Sequence, residues 1–183
     1  MYIEKEKLTK AFSELQKNLT EYSLPTWDEL PDIELYMDQV IFLIGKYLEI
    51  YYETIGTDKI ITSSMINNYV KLKIMPAPVK KKYTKYHLAY LIIICTLKQT
   101  LDIATIQRII PADLSYDDIK ETYNSFVRNQ HKAFSYVTES VKTVADPILM
   151  YEGDNKDRIN DLIMQVSASA NIFKILTETI AKL

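Results

Sequence analysis

From Ile119 to Val144 the apolar residues Ile119, Tyr123, Phe126, Ala133, Val137 and Val144 advance in steps of three and four, with Gln130 and Ser140 completing the seam. Such steps hold a stripe on one face of an α-helix and would scatter it over both faces of a strand. The same spacing recurs at Leu8, Phe12, Leu15, Leu19 and Tyr22, and again at Met37, Val40, Ile41, Ile44, Leu48 and Tyr51. It returns at Ile159, Ile163, Val166, Ala170, Phe173 and Ile180. A chain patterned in this way is confined to helical architectures. Its three glycines, Gly45, Gly56 and Gly153, lie far apart, which suits long helices and leaves no material for a glycine-rich phosphate loop.

Capping residues and prolines predict where each helix begins and stops. A first helix is expected over 3–22, ending before "SLPTWDELPD" with its Pro25 and Pro31. Thr26 and Glu29 have capping-box spacing, which predicts a short turn holding Trp27. A second helix is expected over 33–52, closed by "TIGTD" at 54–58. Thr62 or Ser63 then caps a helix of about ten residues. Its inward residues are Ile66, Tyr69 and Val70, while Ser64, Asn67, Asn68 and Lys71 fall on the other side. Pro76 and Pro78 force an extended path, from which "VKKKY" can return as the second arm of a short hairpin. Thr84 caps a buried helix over 85–100 and Asp102 one over 103–110. Ser115 and Asp118 open the long helix, which Pro147 is expected to stop. After "YEGDN" a last helix runs over 156–182, making the final pair an antiparallel hairpin.

Charge is unevenly spread. The chain carries 22 basic and 24 acidic residues, for a formal net charge of -2. Yet between Lys59 and Leu101 there are eight lysines (59, 71, 73, 80, 81, 82, 85 and 98) and no Asp, Glu or Arg. All the acids therefore lie outside this basic segment, which points to an anionic partner for it.

The order of elements in that segment is helix, two-proline arm, basic return, capped helix and short helix. "TSSMINNYVKLKIMPAP" followed by "KKKYTKYHLAYLIIICTLKQTLDIATIQRII" resembles the winged helix-turn-helix of MerR-type bacterial transcription regulators. Asn67, Asn68 and Tyr69 stand in the place of that family's Arg-Tyr-Tyr element, Ile74, Met75 and Pro76 in that of Leu-Leu-Pro, and Tyr83 and Thr84 in that of Tyr-Ser. Lys73 stands where the family has glycine, so the tight turn is made without the residue that tolerates it best. A longer stretch, from "LPTWDELPDIELYMDQVI" through "HLAYLIIICTLKQ", is similar to an uncharacterised bacterial domain-of-unknown-function family grouped with helix-turn-helix regulators.

These resemblances imply a mainly α fold: a MerR-like winged helix-turn-helix with a short two-strand wing over 25–112, an N-terminal helix over 1–24, and a C-terminal helical region over 113–183 for dimerisation or effector binding. They imply a DNA-binding site made of Ser64, Asn67, Asn68, Lys71, Lys73, Lys80, Lys81, Lys82 and Lys85. Asparagine can contact adenine bidentately, and lysines on the wing meet phosphates without reading sequence. About five neutralised phosphates give a log–log salt slope of roughly -4 to -5.

Other readings stay open. The basic face could serve an acidic protein partner, making the chain an adaptor. The C-terminal seam could form a homodimer or pack against residues 3–22 of its own chain. No nucleophile–base pair, metal cluster or cofactor motif is visible, so neither an enzyme nor a cofactor is expected. His87 and His131 lie far apart, Cys95 sits in an aliphatic run that predicts an inert buried thiol, and the chain has no other cysteine. The apolar run Leu88–Leu97 is about half the length of a membrane span, so a cytoplasmic protein is expected.

Overall fold

The computed structural model describes residues 5–53, 60–151 and 156–183. Lys59, the "TIGTD" break and most of the "YEGDN" connection lie outside the described residues. Eight α-helices occur among the described residues: α1 (Lys5–Glu21), α2 (Met37–Tyr47), α3 (Glu49–Glu53), α4 (Ser63–Lys71), α5 (Lys85–Leu97), α6 (Ile103–Ile109), α7 (Tyr116–Leu149) and α8 (Lys156–Ile180). A 3-10 turn, Trp27–Glu29, lies between α1 and α2. The chain divides into two compact units, one spanning Ser23–Asn129 and the other joining the residues up to Tyr22 with Gln130–Leu183.

In the first of these units α5 is the centre. Every residue from Leu88 to Cys95 is at most 1% exposed, so this helix is covered on all sides, and its uncharged run over residues 86–97 follows from that. Helix α2 lies against α5 and α4 and contributes Val40 and Ile44 to the core. Ile66 and Tyr69 come from α4, Ile106 from α6, and Ile119 and Tyr123 from the first turns of α7. Three tyrosine hydroxyls tie connecting segments to this core: Tyr123 donates to the Pro25 carbonyl at 2.7 Å, Tyr90 to that of Pro111 at 2.8 Å, and Tyr86 to that of Leu114 at 2.6 Å. Burial raises the Tyr90 and Tyr123 phenols above their ordinary value, so both remain donors.

The expected caps form. Glu29 accepts from the Thr26 amide at 2.7 Å, the Thr62 hydroxyl accepts from the Met65 amide at 3.3 Å, and Asp102 accepts from the Thr105 amide at 2.8 Å. Ser115 accepts from the Asp118 amide at 3.2 Å, opening α7. In the other unit Leu8, Ile148 and Ile159 make a small core with Phe12, Leu149 and Leu162 packed on it.

Three expectations are corrected. The helix expected over 33–52 begins only at Met37 and breaks at Leu48, whose φ of -115° closes α2 before α3 starts. Pro147 does not stop α7, which runs two residues further to Leu149; a proline so near the end removes one donor from a turn that is already finishing.

The third correction concerns the wing: among the described residues there is no two-strand wing, only two isolated bridges, Val79 with Lys82 and Leu35 with Tyr83. The backbone groups that would extend the hairpin are committed elsewhere. Pro76 and Pro78 have no N–H. Thr84 gives its amide to His87 Nδ1 at 3.1 Å and its carbonyl to the first turn of α5. Tyr83 exchanges both backbone hydrogen bonds with Leu35, at 2.7 and 2.9 Å.

Candidate nucleic-acid interface

Helix α4 presents two distinct faces. Ile66 and Tyr69 are buried beneath it, and burial raises the Tyr69 phenol. Ser64, Asn67, Asn68 and Lys71 are all exposed on the opposite side, as the 3.6-residue period requires. The helix closes in a Schellman motif. The Ile74 amide donates to the Tyr69 carbonyl at 2.8 Å and the Lys73 amide to that of Val70 at 3.0 Å, with Lys73 between them at φ 54°. Glycine is the usual occupant of that position because it has no Cβ to crowd the backbone. Gln107 of α6 donates to the Lys73 carbonyl at 3.1 Å and holds the turn from outside.

Buried Ile74 and Met75 anchor the chain as it leaves α4. Exposed Ala77, between the two prolines, is fastened by its carbonyl, which lies 3.3 Å from His87 Nε2. Because His87 Nδ1 accepts from the Thr84 amide, Nε2 carries the proton and donates to Ala77. Burial lowers the His87 pKa from its ordinary 6.5, with the Ala77 bond opposing it, so the ring is neutral.

Val79–Lys82 then folds into a two-residue type I′ turn. Lys80 and Lys81 have φ of 50° and 63°, and the Lys82 amide donates to the Val79 carbonyl at 2.9 Å. Asparagine and glycine are the residues such a turn prefers. Lys73, Lys80 and Lys81 are the positive-φ residues other than glycine among the described residues, and all three are exposed.

The remaining lysines are placed differently. The Lys82 ammonium lies 3.3 Å from the centroid of the Tyr36 ring, a cation–π contact that leaves it half-buried. Lys85 is buried, its ammonium 3.3 Å from Asp32 and 5.6 Å from the Trp27 ring centroid. Burial works against its charge, but the Asp32 carboxylate outweighs burial and holds its pKa above the ordinary value. Lys98 donates to the Ile60 carbonyl at 2.7 Å.

Of the nine residues singled out from the sequence, then, Ser64, Asn67, Asn68, Lys71 and Lys73 belong to α4 and its end, and Lys80 and Lys81 to the turn that follows. Lys82 joins that turn through an aromatic contact, and Lys85 stands apart in the core. Sequence reasoning missed Gln107 and Tyr36. Gln107 acts on Lys73 from 34 positions away, and no local signal reports such a pairing. Tyr36 is 54% exposed, and its only trace in the sequence is an aromatic residue directly before a helix.

A groove of about 590 Å³ beside α4 is lined by Lys73, Gln107 and Asp113 among others, so both signs of charge meet there. Burial pushes the Cys95 thiol up to about 12, leaving it protonated at neutral pH. Among the described residues no group of three or more His, Cys, Asp or Glu could hold a metal ion, and no helix is long and apolar enough to cross a membrane.

No curated protein matches the sequence, and no solved structure matches the chain. One family does match, over residues 25–130, and that span closely follows the compact unit Ser23–Asn129. Since the match covers more than half of the 183 residues, the chain belongs to the family described as Domain of unknown function (DUF1836).

Proposed function

We propose that this protein is a DNA-binding transcription regulator, with α2 and α4 as a MerR-like helix-turn-helix and the Lys80–Lys81 turn as a reduced wing. Asn67 and Asn68 are the base-reading candidates, since an asparagine in the major groove can hydrogen-bond adenine at two points, worth about 1–3 kcal/mol of discrimination. Lys71, Lys73, Lys80 and Lys81 supply phosphate contacts, with Lys82 contributing from the edge of the turn. Lys85 has no part in this, since its charge is spent on Asp32.

The observation that carries the reading is the backbone strain at lysine. A residue with a Cβ in the left-handed region costs about 1–2 kcal/mol relative to the right-handed one. The chain bears that cost at Lys73, Lys80 and Lys81, where glycine or asparagine would relieve it. Strain that a simple substitution would remove is characteristic of sites where the side chain has a task. Here the side chain offers an exposed positive charge and little else.

The same charge could serve an acidic protein, and one titration separates the two. Fluorescence anisotropy with random duplex DNA, competed by polyglutamate of matched charge, is expected to show duplex binding that polyglutamate displaces only in large excess. Binding to polyglutamate with no binding to duplex at low salt would replace the regulator reading with that of an adaptor.

A further inference from the structure

Helix α2 is apolar on its outer side as well as its inner one. Val40 and Ile44 are buried, while Phe42, two residues from each and so about 200° around the helix, is 70% exposed. Ile33, in the segment before α2, is 61% exposed. Both line one groove of about 580 Å³, together with Pro31, Leu35, Leu43 and Tyr47. A lone exposed apolar residue is ordinary, but two large ones on a shared concave surface mark a contact site. Three residues on from Phe42, a Cβ at Gly45 would meet nothing within 4 Å, so packing around it does not call for glycine inside this helix. The bare backbone leaves room for a partner to close on that flank of Phe42.

The charge beside the groove has one sign. Glu29 and Asp38 line it, and among the described residues no Lys, Arg or His does. Glu34, exposed between Ile33 and Leu35, adds a third acid at its edge. Hydrogen bonds from the Thr26 amide and hydroxyl hold the Glu29 carboxyl below its ordinary value, so it stays ionised at neutral pH. We propose that this groove takes a short segment of another protein in which large apolar side chains are flanked by Lys or Arg. The apolar side chains would seat between Ile33 and Phe42, and the flanking cations would meet Glu29, Glu34 and Asp38.

Other occupants fit the charge less well. A second copy presenting the same face would set Glu29 and Asp38 against their own kind across a two-fold axis. An anionic membrane or a nucleic acid meets the same repulsion. The proposal does not rest on the DNA reading, whose lysines select ligands of the opposite charge, so the two fail separately.

Selection from a phage-displayed library of random peptides of about 15 residues, on the full chain, tests it. Enriched peptides are expected to combine Phe, Leu, Ile or Trp with Lys or Arg. Measured by fluorescence anisotropy, they are expected to bind Phe42→Ala about tenfold more weakly than the parent. Asp38→Lys is expected to weaken them by a similar factor, and the loss is expected to shrink in about 0.5 M salt. Both side chains are exposed, so helical circular dichroism is expected to be unchanged. If Phe42→Ala does lose its helical signal, Ile33→Ala repeats the test from the segment before α2. Peptides that bind these variants as tightly as the parent overturn the proposal. So does a selection that enriches nothing, as when a second copy or another part of the chain fills the groove. Enrichment of acidic peptides alone, lost with Lys80→Gln and Lys81→Gln, also overturns it and favours the adaptor reading of the basic turn.

Discussion

At the scale of single residues, three lysines hold conformations that suit glycine, and this separates stability from function. Lys73→Gly relieves the Schellman position and is expected to raise unfolding free energy by about 1 kcal/mol. Lys80→Asn with Lys81→Gly gives the type I′ turn its preferred pair and is expected to add about 1–2 kcal/mol. Both variants are expected to bind duplex DNA more weakly than the parent. Urea unfolding and anisotropy on the same samples check the two effects together. A variant that is less stable, or that binds DNA as the parent does, would mean the lysines are not held there for their charge. The Lys73 position was legible in the sequence because Lys73 stands where the MerR-type pattern it resembles has glycine, whereas the Lys80–Lys81 conformation was not. "VKKKY" reads equally well as a strand, and the turn type is set by how Tyr83 and Thr84 are used elsewhere.

At the scale of elements, the helices were legible because burial follows the 3.6-residue period, and their caps because Thr, Ser and Asp compete for the orphan amides. The break at Leu48 was not legible. Leu48 stays fully buried and in phase with the α2 stripe, so the apolar pattern runs straight through it. The bridge between Leu35 and Tyr83 was equally hidden, because it joins segments 48 residues apart through backbone atoms that carry no sequence signal.

The link from the Ala77 loop to α5 runs through neutral His87, and it gives this region a pH dependence. The folded pKa lies below 6.5, so at lower pH the unfolded chain takes up a proton that the folded chain resists. The stability due to His87 is therefore whole above about pH 6.5 and is lost as pH falls from there toward the lowered folded value. His87→Gln is expected to melt lower than the parent at about pH 7.5, with the difference shrinking by about pH 5.5. Thermal melts across that range check it, and a constant difference would mean that folding does not lower the His87 pKa.

At the scale of the whole molecule, a chain of net charge -2 gains no long-range attraction to DNA, so the proposed binding rests on the local basic ridge. The charge sum over residues 59–101 overstated that ridge. Summation counts Lys85 and Lys98, but the fold commits the first to Asp32 and the second to the Ile60 carbonyl. Lys71, Lys73, Lys80 and Lys81 remain exposed. The salt dependence of duplex binding is the most direct measure of whether they meet phosphates. With these four contacts and that of Lys82 at the edge of the turn, the log–log slope is expected between about -4 and -5, and replacing Lys71, Lys80 and Lys81 by glutamine is expected to bring it to about -2. No duplex binding at low salt, or a slope that the three substitutions leave unchanged, would contradict the assignment of these lysines to a polyanion.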